Sequence, residues 1–153
     1  IRDRAMHGSI WNIDPESGIA YEITYSEDAY HSSPDYSPDG RWLVFTADYD
    51  HQRIQLEVLD TESGEISKLT DDQAVYTDPV FSPDGSKIAV MTQRDGGHGN
   101  MEIFVMDADG SRQMKLTNLG KMSWAPFFHP SGEYLIFSTN VHGFQNLPCQ
   151  CIR

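Results

Sequence analysis

Residues 79–117 read PVFSPDGSKIAVMTQRDGGHGNMEIFVMDADGSRQMKLT, and this stretch decides the fold. In Ser82-Pro83-Asp84-Gly85, proline presets the first turn position, aspartate suits the second, and glycine takes the positive φ that closes a hairpin. A dense apolar run follows, Ile88-Ala89-Val90-Met91, and then a more alternating one, Met101-Glu102-Ile103-Phe104-Val105, which ends at Asp107 before a turn carrying Gly110. A last polar strand closes on Leu116-Thr117. The pattern is four short strands joined by turns.

The same grammar extends in both directions. Pro34 to Gly40 reads PDYSPDG and Pro126 to Gly132 reads PFFHPSG, so the phrase recurs after 45 and then 47 residues, the period of a four-stranded propeller blade. The strand after each turn is apolar nearly throughout, as in Trp42-Leu43-Val44-Phe45 and Tyr134-Leu135-Ile136-Phe137. Such runs belong to strands covered on both faces. The alternating strand Ile54-Gln55-Leu56-Glu57-Val58 leads through Asp60 and Gly64 to Leu69-Thr70. Near the start, Ile10 to Asp14 with Pro15-Glu16-Ser17-Gly18 matches Val58 to Asp60 with Thr61-Glu62-Ser63-Gly64, and Ile23-Thr24 matches Leu69-Thr70.

The chain therefore enters midway through a blade. The expected fold class is all-β, a partial β-propeller of about three four-stranded antiparallel blades: a half blade at 8–24, blades at 33–70 and 78–117, a half blade at 124–139, and an irregular tail at 140–153. No long amphipathic helical period is present to supply the crossovers of a parallel α/β sheet. An arc of three blades falls short of the four to eight that close a ring, so two blade faces need covering by further blades or by self-association. The midblade start points to a fragment of a longer chain. In the tail, Pro148 falls where a third strand is due, and Cys149 and Cys151 have neither disulfide-framework nor zinc spacing.

The combination of proline, aromatic residue, SPDG, apolar strand, Asp-x-Asp-Gly turn and closing Leu-Thr resembles the TolB-like propeller repeats, which are related to WD repeats. The resemblance runs from about Ile10 to Asn146 and is densest over Pro79 to Thr117. It implies a noncatalytic module that docks a protein or peptide, in a periplasmic or extracytoplasmic setting among envelope proteins. The alternative it implies is the substrate-gating propeller of a prolyl-oligopeptidase-like or tricorn-like serine peptidase.

Composition narrows the partners. The 153 residues are 39% hydrophobic and 11% aromatic, with a formal net charge of −12. Nucleic acid is excluded by that charge, because phosphate neutralisation needs clustered Lys and Arg, and the 11 present are scattered singly. Much of the acid is turn chemistry: Asp14, Asp39, Asp60, Asp84, Asp107 and Asp109 sit in turn-like contexts with Gly or Pro within four residues, where a short carboxylate bonds its own backbone. No run approaches the roughly 18 apolar residues of a membrane span, and the opening IRDRAMHGSIW has no signal-peptide character.

Motifs specific for enzymes are missing: there is no G-x-S-x-G, H-E-x-x-H, P-loop or paired C-x-x-C. The six histidines, His7, His31, His51, His98, His129 and His142, occupy different repeat positions and read as loop or surface residues. Asp95-Gly96-Gly97-His98-Gly99-Asn100 lies between strands with no helix N-terminus behind it, and Asp107-Ala108-Asp109-Gly110 lacks the later ligands of a calcium loop. No catalytic residue, cofactor or metal site is expected. Propellers bind where the loops into the innermost strands gather, here 25–33, 71–78 and 118–125, together with 48–53, 94–100 and 140–146 on the same face. The candidate rim is Asp28, Tyr30, His31, Asp72, Tyr76, Asp78 and Trp124, acids interleaved with aromatic anchors suited to a basic protein or peptide. The competing reading packs Tyr76 and Trp124 between blades and leaves the acids to solubilise the rim.

Overall fold

A computed structural model describes residues 8–51, 53–95 and 100–141. Twelve strands are arranged as four consecutive antiparallel meanders, with no helix among the described residues. Strands β1 (Ile10–Ile13) and β2 (Ala20–Thr24) form the first, and β3 (Tyr30–Tyr36), β4 (Trp42–Asp48), β5 (Ile54–Asp60) and β6 (Ile66–Lys68) the second. Strands β7 (Tyr76–Phe81), β8 (Lys87–Thr92), β9 (Glu102–Asp107) and β10 (Met114–Lys115) form the third, and β11 (Ser123–Phe128) with β12 (Leu135–Thr139) the fourth. The protein is thus a partial all-β propeller.

The SPDG turns work as their residues require. Gly40, Gly85 and Gly132 have φ of 73°, 72° and 75°, and Gly40 N–H donates to the Ser37 carbonyl at 2.8 Å, as Gly85 does to Ser82. The serine side chain ties the turn to the strand that leaves it, since Ser37 Oγ accepts from Trp42 N–H at 2.8 Å and Ser82 Oγ from Lys87 N–H at 2.9 Å. Successive turns also touch. A Cβ on Gly85 would lie 3.4 Å from the Pro38 ring, and one on Gly132 3.9 Å from the Pro83 ring.

Side chains from facing sheets make three cores. Leu43, Phe45 and Leu59 meet Ile10 and Ile23 between the first and second meanders. Val44 and Leu56 meet Tyr76, Phe81, Ile88, Val90, Phe104 and Met106 between the second and third. Ala89 and Val105 meet Phe128, Val80 and Leu135 between the third and fourth. Strand β4 is buried on alternate residues against opposite neighbours, as its continuous apolar run requires. Strand β12 departs from that expectation: Ile136 is 64% exposed, because no described sheet covers its outer face.

The alternation of β5 does not mark an exposed face, since Gln55 and Glu57 are both buried. Leu69-Thr70 and Leu116-Thr117 lie just beyond their short fourth strands, whereas Thr24 is the last residue of β2. There the threonine hydroxyl replaces a ladder rung: Thr24, Thr70 and Thr117 Oγ1 accept from the N–H of Ile10, Leu56 and Ile103 at 3.2, 3.0 and 2.9 Å. Each first strand carries a bulge before its proline, at Ser33, Asp78 and Ala125, whose φ are 48°, 52° and 53°.

Candidate functional site

Antiparallel meanders place the connections 25–29, 69–75 and 116–122, which lead into β3, β7 and β11, at one end of the sheets, and the SPDG turns at the other. The connections at this end are clamped from beneath. Gln55 Nε2 donates to the carbonyls of Asp72 and Ala74 at 3.2 and 2.7 Å, and its Oε1 accepts from Asp72 N–H at 3.3 Å. One repeat later, Glu102 Oε1 accepts from Leu119 and Gly120 N–H at 2.9 and 3.0 Å, while its other oxygen accepts from the Thr117 hydroxyl. Both clamps are buried, so the loops they hold have backbone positions fixed by the scaffold.

The expected rim residues divide on this frame. Asp28 is exposed on a turn where Ser26 Oγ accepts from the N–H of Asp28 and Ala29, both at 3.1 Å. Tyr30 is 40% exposed, its ring lying so close over Gly8 that a Cβ there would come within 2.3 Å of it. Asp72 is half-buried: Oδ1 accepts from Ala74 N–H and Oδ2 from the Tyr76 hydroxyl, each at 2.8 Å. Asp78 is half-buried, and its Oδ1 accepts from Ser33 Oγ at 3.2 Å, joining equivalent bulges of neighbouring sheets. Trp124 is half-buried on β11, opposite Ser138.

Two of the seven are not rim residues. Tyr76 is fully buried in the core between the second and third meanders, and only its hydroxyl reaches Asp72 and, at 3.2 Å, Gln113 Oε1. Burial, with the Asp72 carboxylate beside it, pushes that phenol up to about 12. His31 is 4% exposed, its ring 4.8 Å from that of Phe45. Both aromatics side with the core because the strand turns their faces inward there; they support the rim from below.

His31 also belongs to a buried polar chain that the sequence does not announce. Its Nδ1 is 2.9 Å from Thr24 Oγ1, its Nε2 is 3.8 Å from Glu57 Oε2, and Glu57 Oε1 accepts from the Tyr49 hydroxyl. Hydroxyl, imidazole and carboxylate are the elements of a nucleophile relay, but Thr24 is 1% exposed and spends its oxygen on Ile10 N–H, so no substrate carbonyl can reach it. The chain ties the first meander to the second. Desolvation holds the His31 imidazole below its ordinary value, against the opposing pull of Glu57.

A second residue missed from sequence is Asp35, whose Oδ2 accepts from Phe81 N–H at 2.7 Å and so joins β3 to β7. Burial raises its carboxyl above the usual range despite that bond. It lies inside the PDYSPDG phrase, near the turn aspartate Asp39, and nothing in the phrase singles it out. Asp107 and Asp60 fit the hairpin reading: Asp107 Oδ1 accepts from Lys87 Nζ at 3.0 Å and Asp60 Oδ2 from Arg41 Nη2 at 3.2 Å. Among the described residues no cluster of three or more His, Cys, Asp or Glu is placed to hold a metal, and no helix is long and apolar enough to cross a membrane. His7, His98, His142, Gly96, Gly97, Gly99, Pro148, Cys149 and Cys151 lie outside the described residues.

Comparison with known proteins matches residues 17–150 to a family described as TolB beta propeller domain. The chain is 30% identical over 166 residues to the uncharacterized peptidase YuxL of Bacillus subtilis, covering 87% of this chain and 25% of that protein. It is 25% identical over 149 residues to the Tol-Pal system protein TolB of Francisella tularensis, covering 89% of this chain and 34% of that protein. Among solved structures, TolB from Acinetobacter baumannii superposes with a TM-score of 0.73 at 22% identity, over 84% of this chain and 31% of that one. The chain spans between a quarter and about a third of the length of these relatives.

Proposed function

This chain belongs to the TolB beta propeller domain family, and from that premise we propose that it is a noncatalytic segment of a longer propeller that docks a basic protein or peptide on its loop-bearing rim. The observation that carries the reading is the clamped rim. Gln55 and Glu102 fix the backbone of two entry loops from below, and on the neighbouring entry loop at the same end, where Ser26 Oγ holds the turn, Asp28 and Tyr30 face outward. A rigid scaffold presenting acids beside aromatic rings loses little conformational entropy when a cationic segment binds. Family resemblance favours an extracytoplasmic setting for that encounter.

Fluorescence anisotropy with labelled peptides tests the proposal. A Lys- and Arg-containing peptide should bind more tightly at low than at high ionic strength, and the double substitution Glu27→Lys with Asp28→Lys should weaken it on the order of tenfold. Equal binding of an acidic control peptide, or indifference to the charge reversal, would discard the rim.

A second reading follows from the similarity to YuxL, a protein named as a peptidase. In it, the same blades gate access to a separate hydrolase domain. The two readings diverge in the gene outside this segment: a Gly-x-Ser-x-Gly nucleophile elbow followed by its histidine would assign the gating role, whereas SPDG repeats alone would leave the docking role.

A further inference from the structure

The three connections that lead into β3, β7 and β11 are each complete, with the strands on both sides described, and they hold their charges in different states. In connection 25–29, Glu27 and Asp28 are exposed and no cationic residue is present. Among the described residues, neither carboxylate has a hydrogen bond or an ion pair. Connection 69–75 also carries two acids, but both are engaged within the chain. Asp71 Oδ1 lies 3.6 Å from Lys68 Nζ, and the two oxygens of Asp72 accept from Ala74 N–H and from the Tyr76 hydroxyl. Connection 116–122 contains no acid. Its one charge, Lys121, is exposed, and among the described residues no carboxylate pairs with it.

The clamps beneath follow the same order. The neutral amide of Gln55 holds the acidic connection 69–75, where a buried carboxylate would be repelled by Asp71 and Asp72. The carboxylate of Glu102 holds the cationic connection 116–122, and its oxygens are taken up by the N–H groups of Leu119 and Gly120 and the hydroxyl of Thr117. Apolar neighbours differ as well: Tyr25 is 61% exposed beside the unpaired acids, and Met122 is 41% exposed beside the unpaired lysine. The charges left for a partner are therefore polarised across the rim, anionic at one connection, internally satisfied at the next and cationic at the third.

We propose that this rim reads its partner in one orientation: an extended segment with cationic side chains over Glu27 and Asp28, neutral residues across connection 69–75, and a carboxylate against Lys121. The inference rests on the docking reading above and adds an anionic group of the partner at a set distance from its cationic ones. Connections 25–29 and 116–122 are two meanders apart. At about 10 Å between packed sheets that is roughly 20 Å, which an extended chain spans in about six residues at ~3.3 Å each. Complementary charges at two separated points fix the register of a bound segment, where a single charged patch would let it slide.

The overall field opposes this arrangement, and the opposition makes the proposal testable. With a formal net charge of −12, the protein as a whole disfavours any acid added to a ligand. That repulsion fades over a Debye length of about 8 Å at physiological salt. A direct pair with Lys121 acts within that length and is worth up to about fivefold in affinity. An added glutamate should thus weaken binding at most positions and strengthen it at one.

Fluorescence anisotropy of the full chain at physiological salt, with four capped peptides, tests the proposal. Each peptide carries two arginines, a neutral Gly/Ser stretch, and either glutamate or glutamine about six residues from the arginines, with the arginines at the N-terminal end in one pair and at the C-terminal end in the other. In one of the two chain directions, the glutamate peptide should bind about threefold more tightly than its glutamine twin, although its net charge is less positive. Moving the glutamate to within two residues of the arginines should abolish the gain. Lys121→Gln alters an exposed side chain, so it should keep the far-ultraviolet spectrum and the affinity for the glutamine peptide while erasing the preference for glutamate. Glutamate peptides that bind no better than their twins in either direction, or a preference that persists in Lys121→Gln, would overturn the orientation and leave the docking reading standing. A chain that binds none of the four peptides would overturn both.

Discussion

Replacing Thr70 with valine tests whether the Leu-Thr phrase is a hydrogen-bond device or merely a strand ending. Valine keeps the shape of threonine and removes the oxygen, and the N–H of Leu56, a residue with no exposed surface, then loses the acceptor it has at 3.0 Å. An unpaired buried donor costs about 1–3 kcal/mol, so Thr70→Val should destabilise by about 2 kcal/mol. Thr117 carries more. Its hydroxyl accepts from Ile103 N–H at 2.9 Å and donates to the buried Glu102 carboxylate; a bond to a charged group adds roughly 1.5–3 kcal/mol, so Thr117→Val should cost about 4 kcal/mol. Thr→Ser at either site keeps the oxygen and removes one methyl, worth about 0.8 kcal/mol. Urea denaturation followed by tryptophan fluorescence reads all four variants, with unchanged m-values as the check on two-state behaviour. Serine and valine variants of equal stability at both positions would refute the latch and leave only packing.

Two further outcomes are expected. Gly110→Ala should destabilise by at least about 2 kcal/mol, because φ is 82° there and the new Cβ would sit 2.6 Å from the Leu69 carbonyl oxygen; thermal melting of Gly64→Ala, at a φ of 76° with open space around it, measures the strain alone, and an equal loss would remove the steric argument. The His31 imidazole is held below its ordinary value by burial, so the unfolded chain takes up its proton first, and the stability present above about pH 6.5 should fall as pH drops through that value. Denaturation midpoints at pH 7.5 and 5.5 should differ more for the parent than for His31→Gln, and an identical pH dependence would exclude His31 as its source.

Legibility in the sequence followed how local each constraint is. Ser82-Pro83-Asp84-Gly85 was readable because every residue in it answers to the dihedral or hydrogen bond of its own turn. The closing Leu-Thr was readable as a recurring mark but not as a device, since Thr70 acts on Leu56, fourteen residues away in the chain. His31 and Tyr76 looked like rim residues because they adjoin the entry loops. Whether such a side chain points to the rim or to the core depends on strand parity, and the one-residue bulges at Ser33 and Asp78 interrupt that parity. Gln55 and Glu102 were hidden for a related reason: a polar residue in an alternating strand reads as surface unless the loop that will fold over its end is known. Asp35 was hidden by its own motif, where carboxylates elsewhere in the phrase do belong to turns.

The stacking of SPDG turns reaches beyond this chain. The proline of one turn meets the glycine of the next, Pro38 against Gly85 and Pro83 against Gly132, so a blade carries on its two flanks both members of the contact it makes with its neighbours. A duplicated stretch of one repeat length inserted at such a seam inherits a matching partner on each side without any further mutation. Blade number can therefore change during descent by copying alone, while the loops at the far end diverge independently of that seam.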